Sequence, residues 1–449
     1  MGRLLFWFLF SLFGYWRLGY ATLRTNFAAI FLLFSFLFLG YAWFLRYSGA
    51  WGSSLNPTPQ VWRTGFVAAI AFRLIWLTAL PALSDDYFRF IWDGRLLASG
   101  QNPYLTLPTD QPNLPLFTQL NSPNYYTVYP PLNQVFFAVG TWFFPNSVIN
   151  HVLILRLTIL LADLGSLFLI TRLLRHFKKP KQAVFLYALN PLVIVELTGN
   201  LHFEGVMLFF FLLAVWLLFV EKQGIWSAVS WGAAISVKLL PLLFLPLLVR
   251  RLGWARSLRY FGVVLAVNAG LFAPFWDWKL VENVASSLNL YVQKFEFNAS
   301  LYYLVRAVGF WLQGFNTIQW IGPSLAAIAV ALMLAVLVRD FNEKSPETDS
   351  RFWSLVLLLH TLYLAFATTV HPWYVVPLVA YSVFTPWRYA IVWSGLVVLS
   401  YAAYAGNRWV LAGNGWLIAL EYGVVYGWLA VELVRVLRTK LPSKSTILH

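Results

Sequence analysis

The sequence predicts an all-α protein, a polytopic bundle of about 10–13 membrane-spanning helices. Of the 449 residues, 60% are hydrophobic and only 11% are charged, and a water-soluble domain of this composition would lack the polar surface that it needs. The apolar residues also form long runs, and about 20 consecutive apolar residues cross the hydrocarbon core of a bilayer. The clearest runs are 27–45, 65–83, 153–170, 206–220, 262–275, 321–338, 352–368 and 417–434.

The aromatic-rich first 20 residues predict an additional membrane or interfacial helix, because they lack the small-residue cleavage site of a signal peptide. Neither an internal repeat nor a linker divides the chain. Residues 1–449 are therefore expected to form a single membrane domain, with residues 84–131 as its large outer loop.

Positive charge is concentrated at the ends of the apolar runs. The formal net charge is +15, and Lys and Arg cluster within residues 172–181, 250–259 and 435–444. Such clusters mark cytoplasmic loops and favour anionic headgroups, so membrane lipids are expected partners. Nucleic acid is not an expected partner, because the basic clusters do not lie in a soluble domain where aromatic residues could stack on bases. The chain contains no cysteine, which excludes disulfides and thiolate metal sites.

This orientation places several polar segments on the non-cytoplasmic face: residues 84–129, the 199–204 turn, residues 276–300 and the region of His371. Lys238 is expected there as well. The run 226–249 begins and ends at charged cytoplasmic signals, which predicts a helical hairpin whose turn reaches the far face. The run 132–144 is short, and one of the runs 132–144 and 153–170 is expected to be re-entrant.

The outer loop opens with the densest group of charges in the chain, in the sequence SDDYFRFIWDGRLLASGQNPY from residue 84. Its apolar residues recur with roughly helical period, which predicts an amphipathic helix with Ser84 as N-cap and Gly100 as C-terminal stop. We expect its aromatic face to lie among lipid headgroups. Charged residues gathered at the mouth of a span indicate a reactive site. They are Asp85, Asp86, Arg89, Asp93 and Arg95.

Further motifs follow in order along the chain. They are GQNPY from Gly100, YPP from Tyr129, GNLHFE from Gly199, KLLP from Lys238, FNASLY from Phe297 and HPWY from His371. Together with the first motif, this series resembles the GT-C superfamily of integral-membrane glycosyltransferases. It is most similar to bacterial mannosyltransferases that use polyprenyl-phosphate mannose. The sequence departs from the usual pattern at Glu204, where these proteins often have an aspartate.

The resemblance implies a function and a location. One sugar, mannose in these proteins, would move from a polyprenyl-phosphate donor to a lipid-linked or glycan acceptor. The reaction would occur on the non-cytoplasmic face of a bacterial plasma membrane, without a cofactor. Its chemistry needs a carboxylate that takes the acceptor proton and cations that meet the departing phosphate.

The motifs supply candidates for both roles. One of Asp85 and Asp86 is expected to be the base, and the sequence does not decide which. Lys238 is the first candidate for the phosphate, followed by Arg89 and Arg95. The other expected substrate-binding residues are Asp93, Tyr129, His202, Glu204 and His371. No metal site is predicted, and the buried acids Asp163 and Glu196 are expected to satisfy buried partners.

Two other functions remain open. A transporter or flippase of lipid-linked sugars would share the spans, aromatic belts and basic loops. It should, however, show repeats and charges near the middle of the bilayer, whereas these charges gather in loops on one face. A polymerase or ligase that transfers a whole glycan would share both the face and the donor lipid. The sequence names neither the sugar nor the acceptor.

Overall fold

The computed structural model describes residues 1–52, 56–343, 348–405 and 415–440, and most of them are helical. Lys444, in the third basic cluster, lies outside these ranges. The helices are α1 (Gly2–Tyr20), α2 (Phe27–Tyr47), α3 (Pro59–Leu74), α4 (Asp86–Ala98), α5 (Pro131–Phe143), α6 (Val148–His176), α7 (Phe185–Ala188), α8 (Pro191–Val193), α9 (Glu204–Phe219), α10 (Gly224–Val237), α11 (Leu247–Leu252), α12 (Trp254–Phe272), α13 (Trp278–Gln293), α14 (Leu301–Gln313), α15 (Ile318–Asn342), α16 (Asp349–Phe366), α17 (Val376–Ser382), α18 (Tyr389–Leu396) and α19 (Gly415–Lys440). Short 3₁₀-helices occupy Pro108–Asp110, Phe117–Gln119, Lys181–Val184, Leu240–Phe244, Ala273–Phe275, Pro372–Val375 and Val397–Tyr404. A π-helix occupies Ile194–Gly199.

The all-α membrane fold is confirmed. Five of these helices are long and apolar enough to cross a membrane: α2, α6, α12, α15 and α19. A sixth segment of sufficient length, Lys181–Ala188 followed by Pro191–Gly199, bends by 51°. Asn190 stands at the break, and its side-chain oxygen accepts hydrogen bonds from the next helical turn. Other apolar runs form shorter helices such as α9 and α10, so fewer helices than predicted span the membrane by length alone.

The two short runs after the outer loop have different roles. The continuous helix α6, of 29 residues, is long enough to return the chain by itself. The 13-residue helix α5 packs instead against α4. The contact is close at Gly94, where an added Cβ atom would lie 2.3 Å from the carbonyl oxygen of Phe137. Glycine at this position therefore allows α4 and α5 to approach each other.

The prediction for the surroundings of α4 was wrong. Its aromatic face does not meet lipid headgroups, because Phe90 and Trp92 are 2% exposed and Ile91 is fully buried. Phe90 stacks on Phe137 of α5 at 4.6 Å between ring centroids. The helix also begins one residue later than expected, with Asp85 as N-cap, and the hydroxyl of Ser84 accepts a hydrogen bond from the backbone N–H of Asp86.

Ion pairs mark two opposite ends of the bundle. At the end that we call the Lys238 end, Arg24 pairs with Asp85 and Lys238 with Glu204. At the other, the Arg250 end, Arg250 contacts Asp340 at 2.8 Å. The basic segments 172–181 and 250–259 both belong to the Arg250 end, since Phe177 packs on Phe219 and Arg251 lies over the same ring.

A buried ion pair ties α3 to α6 within the bundle. The Nε atom of Arg73 lies 2.6 Å from Oδ2 of Asp163, and both side chains are fully buried. Tyr187 donates to the other carboxylate oxygen at 2.7 Å, and the carbonyls of Ala69 and Ala188 accept from the guanidinium. Asp163 thus satisfies buried partners, as the sequence predicted.

Candidate active site

The two adjacent aspartates at the start of α4 have different partners. Oδ2 of Asp85 lies 2.6 Å from the guanidinium of Arg24, in the turn between α1 and α2. Asp86 is half-buried, and its Oδ1 accepts a hydrogen bond of 3.1 Å from Asn121 of the outer loop. In the described ranges, no side chain or backbone group donates to Oδ2 of Asp86. This oxygen is therefore available to a substrate, whereas Asp85 is held in an ion pair.

Lys238 lies where α10 ends, in extended backbone. Its ammonium group donates to Oε1 of Glu204, at the start of α9, and lies 5.7 Å from the ring centroid of Tyr374. The Glu204 side chain is 4% exposed, but that of Lys238 is 26% exposed. An ammonium group has three donors, so Lys238 can keep this pair and still bind an anion from the exposed side.

Four aromatic rings stack beside this pair. Trp373 lies between His202, at 3.6 Å between centroids, and His371, at 4.3 Å, and Phe297 stacks on the far side of His371 at 4.7 Å. Nε2 of His202 and Nδ1 of His371 are buried without a hydrogen bond to any described residue. The stack fixes the planes of both imidazoles, so their nitrogen atoms have defined directions.

Backbone pairing holds this stack in place. The N–H of Phe297 donates to the carbonyl of Thr368, and the N–H of Val370 donates to the carbonyl of Phe297. Asn298, next in the chain, donates to Glu421 of α19 at 3.2 Å. Ser300 is the N-cap residue of α14, and its hydroxyl donates to the carbonyl of Ala365 rather than capping the helix. Two separate segments therefore form one wall of the site.

The electrostatic environment distinguishes the titratable groups. Partial burial raises the pKa of Asp86 above its ordinary value, although the Asn121 hydrogen bond and the charge of Lys238 oppose the increase. Burial and then the charge of Lys238 lower the pKa of His371 to about 3. The same two causes, in the same order, lower the pKa of His202 well below its usual value. Both imidazoles are therefore neutral near pH 7 and can donate or accept hydrogen bonds.

Comparison with known proteins identifies the family. The profile described as "Alpha-(1->6)-mannopyranosyltransferase, N-terminal domain" matches residues 12–255, more than half of the chain. This chain belongs to the α-(1→6)-mannopyranosyltransferase family. The family resemblance drawn from the motifs is thereby confirmed. The matched range includes Arg24, Asp85, Asp86, Glu204 and Lys238, whereas the HPWY motif lies beyond it.

Two relatives carry the name alpha-(1->6)-mannopyranosyltransferase A. The protein from Mycobacterium tuberculosis H37Rv is 29% identical over 197 residues, which are 42% of this chain and 37% of the relative. The protein from Corynebacterium glutamicum is 23% identical over 340 residues, which are 70% of this chain and 66% of the relative. The chain thus matches just over one third of the first relative and just under two thirds of the second.

Four predicted site residues of this mannosyltransferase-family chain lie in the packing of the outer loop. Arg89 is buried, pairs with Asp93 at 2.8 Å and donates to the carbonyls of Ser122 and Tyr125. Arg95 donates to the carbonyls of Pro115 and Pro145. The ring of Tyr129 packs edge-on against Phe90 and Phe137, and its carbonyl accepts from Tyr104. We assign these four residues to holding the loop on α4 and α5, and not to the group around Lys238.

Sequence reasoning missed three members of this group. Arg24 is an isolated cation between two apolar helices, and this isolation was a usable signal. Its guanidinium lies 4.7 Å from the ring centroid of Tyr404, which follows α18, and Asn121 contacts Asp86 from the outer loop. No sequence pattern connects Tyr404 or Asn121 with the aspartates, because tertiary packing alone brings them together.

Buried acids elsewhere at this end have protein partners. Glu196 accepts from the hydroxyl of Tyr401 at 2.6 Å and from Asn200 at 3.1 Å, which confirms the prediction that it satisfies buried partners. Its Oε2 also lies 3.5 Å from Nε2 of His202. Within the part of the chain that the structure describes, no group of three His, Asp or Glu side chains is arranged to hold a metal ion.

Proposed function

We propose that this chain transfers one mannose from a polyprenyl-phosphate donor to a lipid-linked or glycan acceptor, by direct displacement with Asp86 as base. Family membership supports the sugar and the reaction class. The observation that carries the mechanism is the placement of Asp86, half-buried with one oxygen available, beside Arg24 and Lys238.

The proposed reaction is one displacement at the anomeric carbon. The acceptor hydroxyl forms a bond to this carbon as the bond to the phosphate oxygen breaks, and its proton passes to Oδ2 of Asp86. Such a displacement inverts the configuration of the anomeric carbon. An α-linked product, the linkage in the names of the relatives, therefore requires a β-linked donor.

The cations of the site are suited to the departing phosphate. Lys238 is partly exposed and can bind an oxygen as a point charge, while Arg24 presents a planar guanidinium. Arg24 also neutralises Asp85, which keeps a second negative charge from repelling the phosphate. We assign Asp85 to positioning Arg24, and His202, Glu204 and His371 to binding sugar hydroxyls, where neutral imidazoles are suitable partners.

We place this reaction on the non-cytoplasmic face of the plasma membrane. The basic segments at the Arg250 end, including Arg172, Arg175 and Arg256, support this orientation, because cytoplasmic loops carry an excess of Lys and Arg. Polyprenyl chains are confined to the bilayer, so a site at the mouth of the spans is within reach of their phosphates.

The test uses the full chain reconstituted in liposomes with radiolabelled mannose on a β-linked polyprenyl phosphate and an α-mannosyl lipid acceptor. We expect label in a product that an α-mannosidase releases, none when a nucleotide-linked mannose replaces the lipid donor, and almost none with Asp86→Asn. Movement of intact labelled donor across the bilayer without transfer would overturn the proposal in favour of a flippase. Transfer of a preassembled glycan, but not of mannose, would favour a ligase.

A further inference from the structure

A basic cleft opens at the Arg250 end, far along α6 from the candidate active site. It encloses about 490 Å³ and is lined by Trp62, Phe66, Thr171, Arg172, Arg175 and Lys181. The aromatic residues belong to the first turns of α3, and Arg172 and Arg175 to the last turns of α6. The cleft therefore lies between two helix ends, at the level where membrane spans meet the headgroup region.

The cations of this cleft have no acidic partner in the described ranges. The side chains of Arg172, Arg175 and Lys181 are exposed, and none of them takes part in an ion pair with an Asp or Glu. The sequence explains why: residues 1–84 and 164–195 contain no Asp or Glu at all. Both chain segments that build the cleft thus carry positive charge alone, which leaves the cleft open to an anionic molecule.

The opposite wall of the cleft is apolar and fixed in position. Trp62 stacks on Phe66 at 5.7 Å between centroids and packs against the buried ring of Phe185 at 5.0 Å. Arg172 lies 5.0 Å from the ring centroid of Phe168, a side chain that is 53% exposed on the outside of the bundle. A molecule that combines an anionic group with a hydrocarbon portion would contact both walls.

We propose that this cleft binds the phosphate headgroup of an anionic membrane phospholipid. Arg172, Arg175 and Lys181 would bind the phosphate oxygens, and the first part of an acyl chain would lie along Trp62 and Phe66. Basic pockets between helix ends at the cytoplasmic surface recognise such headgroups, and the guanidinium fork suits phosphate. An inorganic phosphate ion shares the charge but would leave the aromatic wall uncovered, so the lipid is the occupant that fits both walls.

The test is native mass spectrometry of the full chain released from nanodiscs that contain equal amounts of phosphatidylglycerol and phosphatidylcholine. The wild-type chain should retain phosphatidylglycerol in preference. Each charge removed from the cleft should weaken that retention about fivefold, because this is the contribution of one Lys or Arg placed beside an anionic headgroup. Arg172→Gln/Arg175→Gln should therefore lose most of the preference, and Trp62→Ser should weaken retention without changing the charge.

The matched control is Arg256→Gln/Arg259→Gln, which removes two exposed charges near the start of α12, outside the cleft. It should retain phosphatidylglycerol like the wild-type chain. If it loses the preference equally, the attraction belongs to the whole basic surface and the proposed site is wrong. Complete displacement of the lipid by millimolar inorganic phosphate would also overturn it. Should the double variant fail to fold, Lys181→Gln alone tests the same site, with about a fivefold loss.

Discussion

Two groups of charges in this molecule differ in how fully the protein satisfies them. Arg73 and Asp163 form an ion pair with both side chains fully buried, and the hydroxyl of Tyr187 donates to the second carboxylate oxygen. At the Lys238 end, the side chains of Lys238 and Asp85 are 26% and 37% exposed, and one oxygen of Asp86 has no donor among the described residues. The closed pair holds α3 to α6 and is inaccessible: both oxygens of Asp163 are bonded, and Nη2 of Arg73 is buried without a partner among the described residues. The open group is partly exposed and can still meet a substrate.

Structural charges in this molecule are therefore fully buried, whereas the candidate functional charges are partly exposed. A buried ion pair is weak evidence of net stabilisation, but removing one partner is costly because the other charge is left unpaired. Substitutions in the closed pair should thus affect folding, and substitutions in the open group should affect turnover or binding.

The largest effect is expected at Asp86. Asp86→Asn keeps the shape of the side chain but cannot accept the proton, so turnover should fall about 10²–10⁴-fold, the usual contribution of a general base. Asp85→Asn should lose less, because its role is to position Arg24. The measurement is mannosyl transfer at saturating donor, with thermal stability followed in detergent. Near-normal turnover of Asp86→Asn would remove the proposed base.

The next effect tests the closed pair. Asp163→Asn leaves the buried guanidinium of Arg73 without a counter-charge, so the free energy of unfolding should fall by about 3–5 kcal/mol. Asp85→Asn is the matched control, since its partner Arg24 is partly exposed and such pairs contribute about 0–1 kcal/mol. Denaturant titration in detergent measures both variants. Equal losses of stability would contradict the distinction between the closed and the open group.

A smaller effect is expected at Lys238. Removing a hydrogen bond to a charged group costs about 1.5–3 kcal/mol, so Lys238→Met should weaken donor binding about 10- to 100-fold. This variant also leaves the buried Glu204 without its partner. Lys238→Met/Glu204→Gln is therefore measured beside it, and the affinity should fall at least as far in the double variant if the ammonium group itself binds phosphate. Donor affinity that recovers in the double variant would show that Glu204 caused the loss.

The smallest effect concerns pH. A base must be deprotonated, so turnover should fall as the pH decreases through the raised pKa of Asp86, which lies above that of an ordinary aspartate. Asn121 stabilises the charged carboxylate. Asn121→Ala should therefore move the acid limb of the pH–rate profile, where turnover falls, to still higher pH. Gln111→Ala, another amide of the outer loop, contacts Gln101 rather than Asp86 and should leave the limb in place. The check is a pH–rate profile of the three proteins.

Prediction from the sequence was most accurate where one physical rule governs a whole segment. The all-α fold followed from the length of the apolar runs, and the end of α4 followed from Gly100, whose φ of +77° suits glycine. Lys238 was placed with the 199–204 turn because basic clusters mark one face, and it does contact Glu204. The aromatic face of α4 was misplaced because an amphipathic pattern shows that a face is apolar, but not whether lipid or another helix covers it.

The sequence by itself therefore determined the helical class, the family and the short segments that could carry chemistry, since bilayer thickness and charge distribution are properties of consecutive residues. Only the tertiary structure decided which side chains meet. In that structure Arg24 forms an ion pair with Asp85, and Asn121 donates a hydrogen bond to Asp86. Arg89 pairs with Asp93 in the packing of the outer loop. Such pairings depend on the approach of helices that are distant in the chain, and no local spacing encodes them.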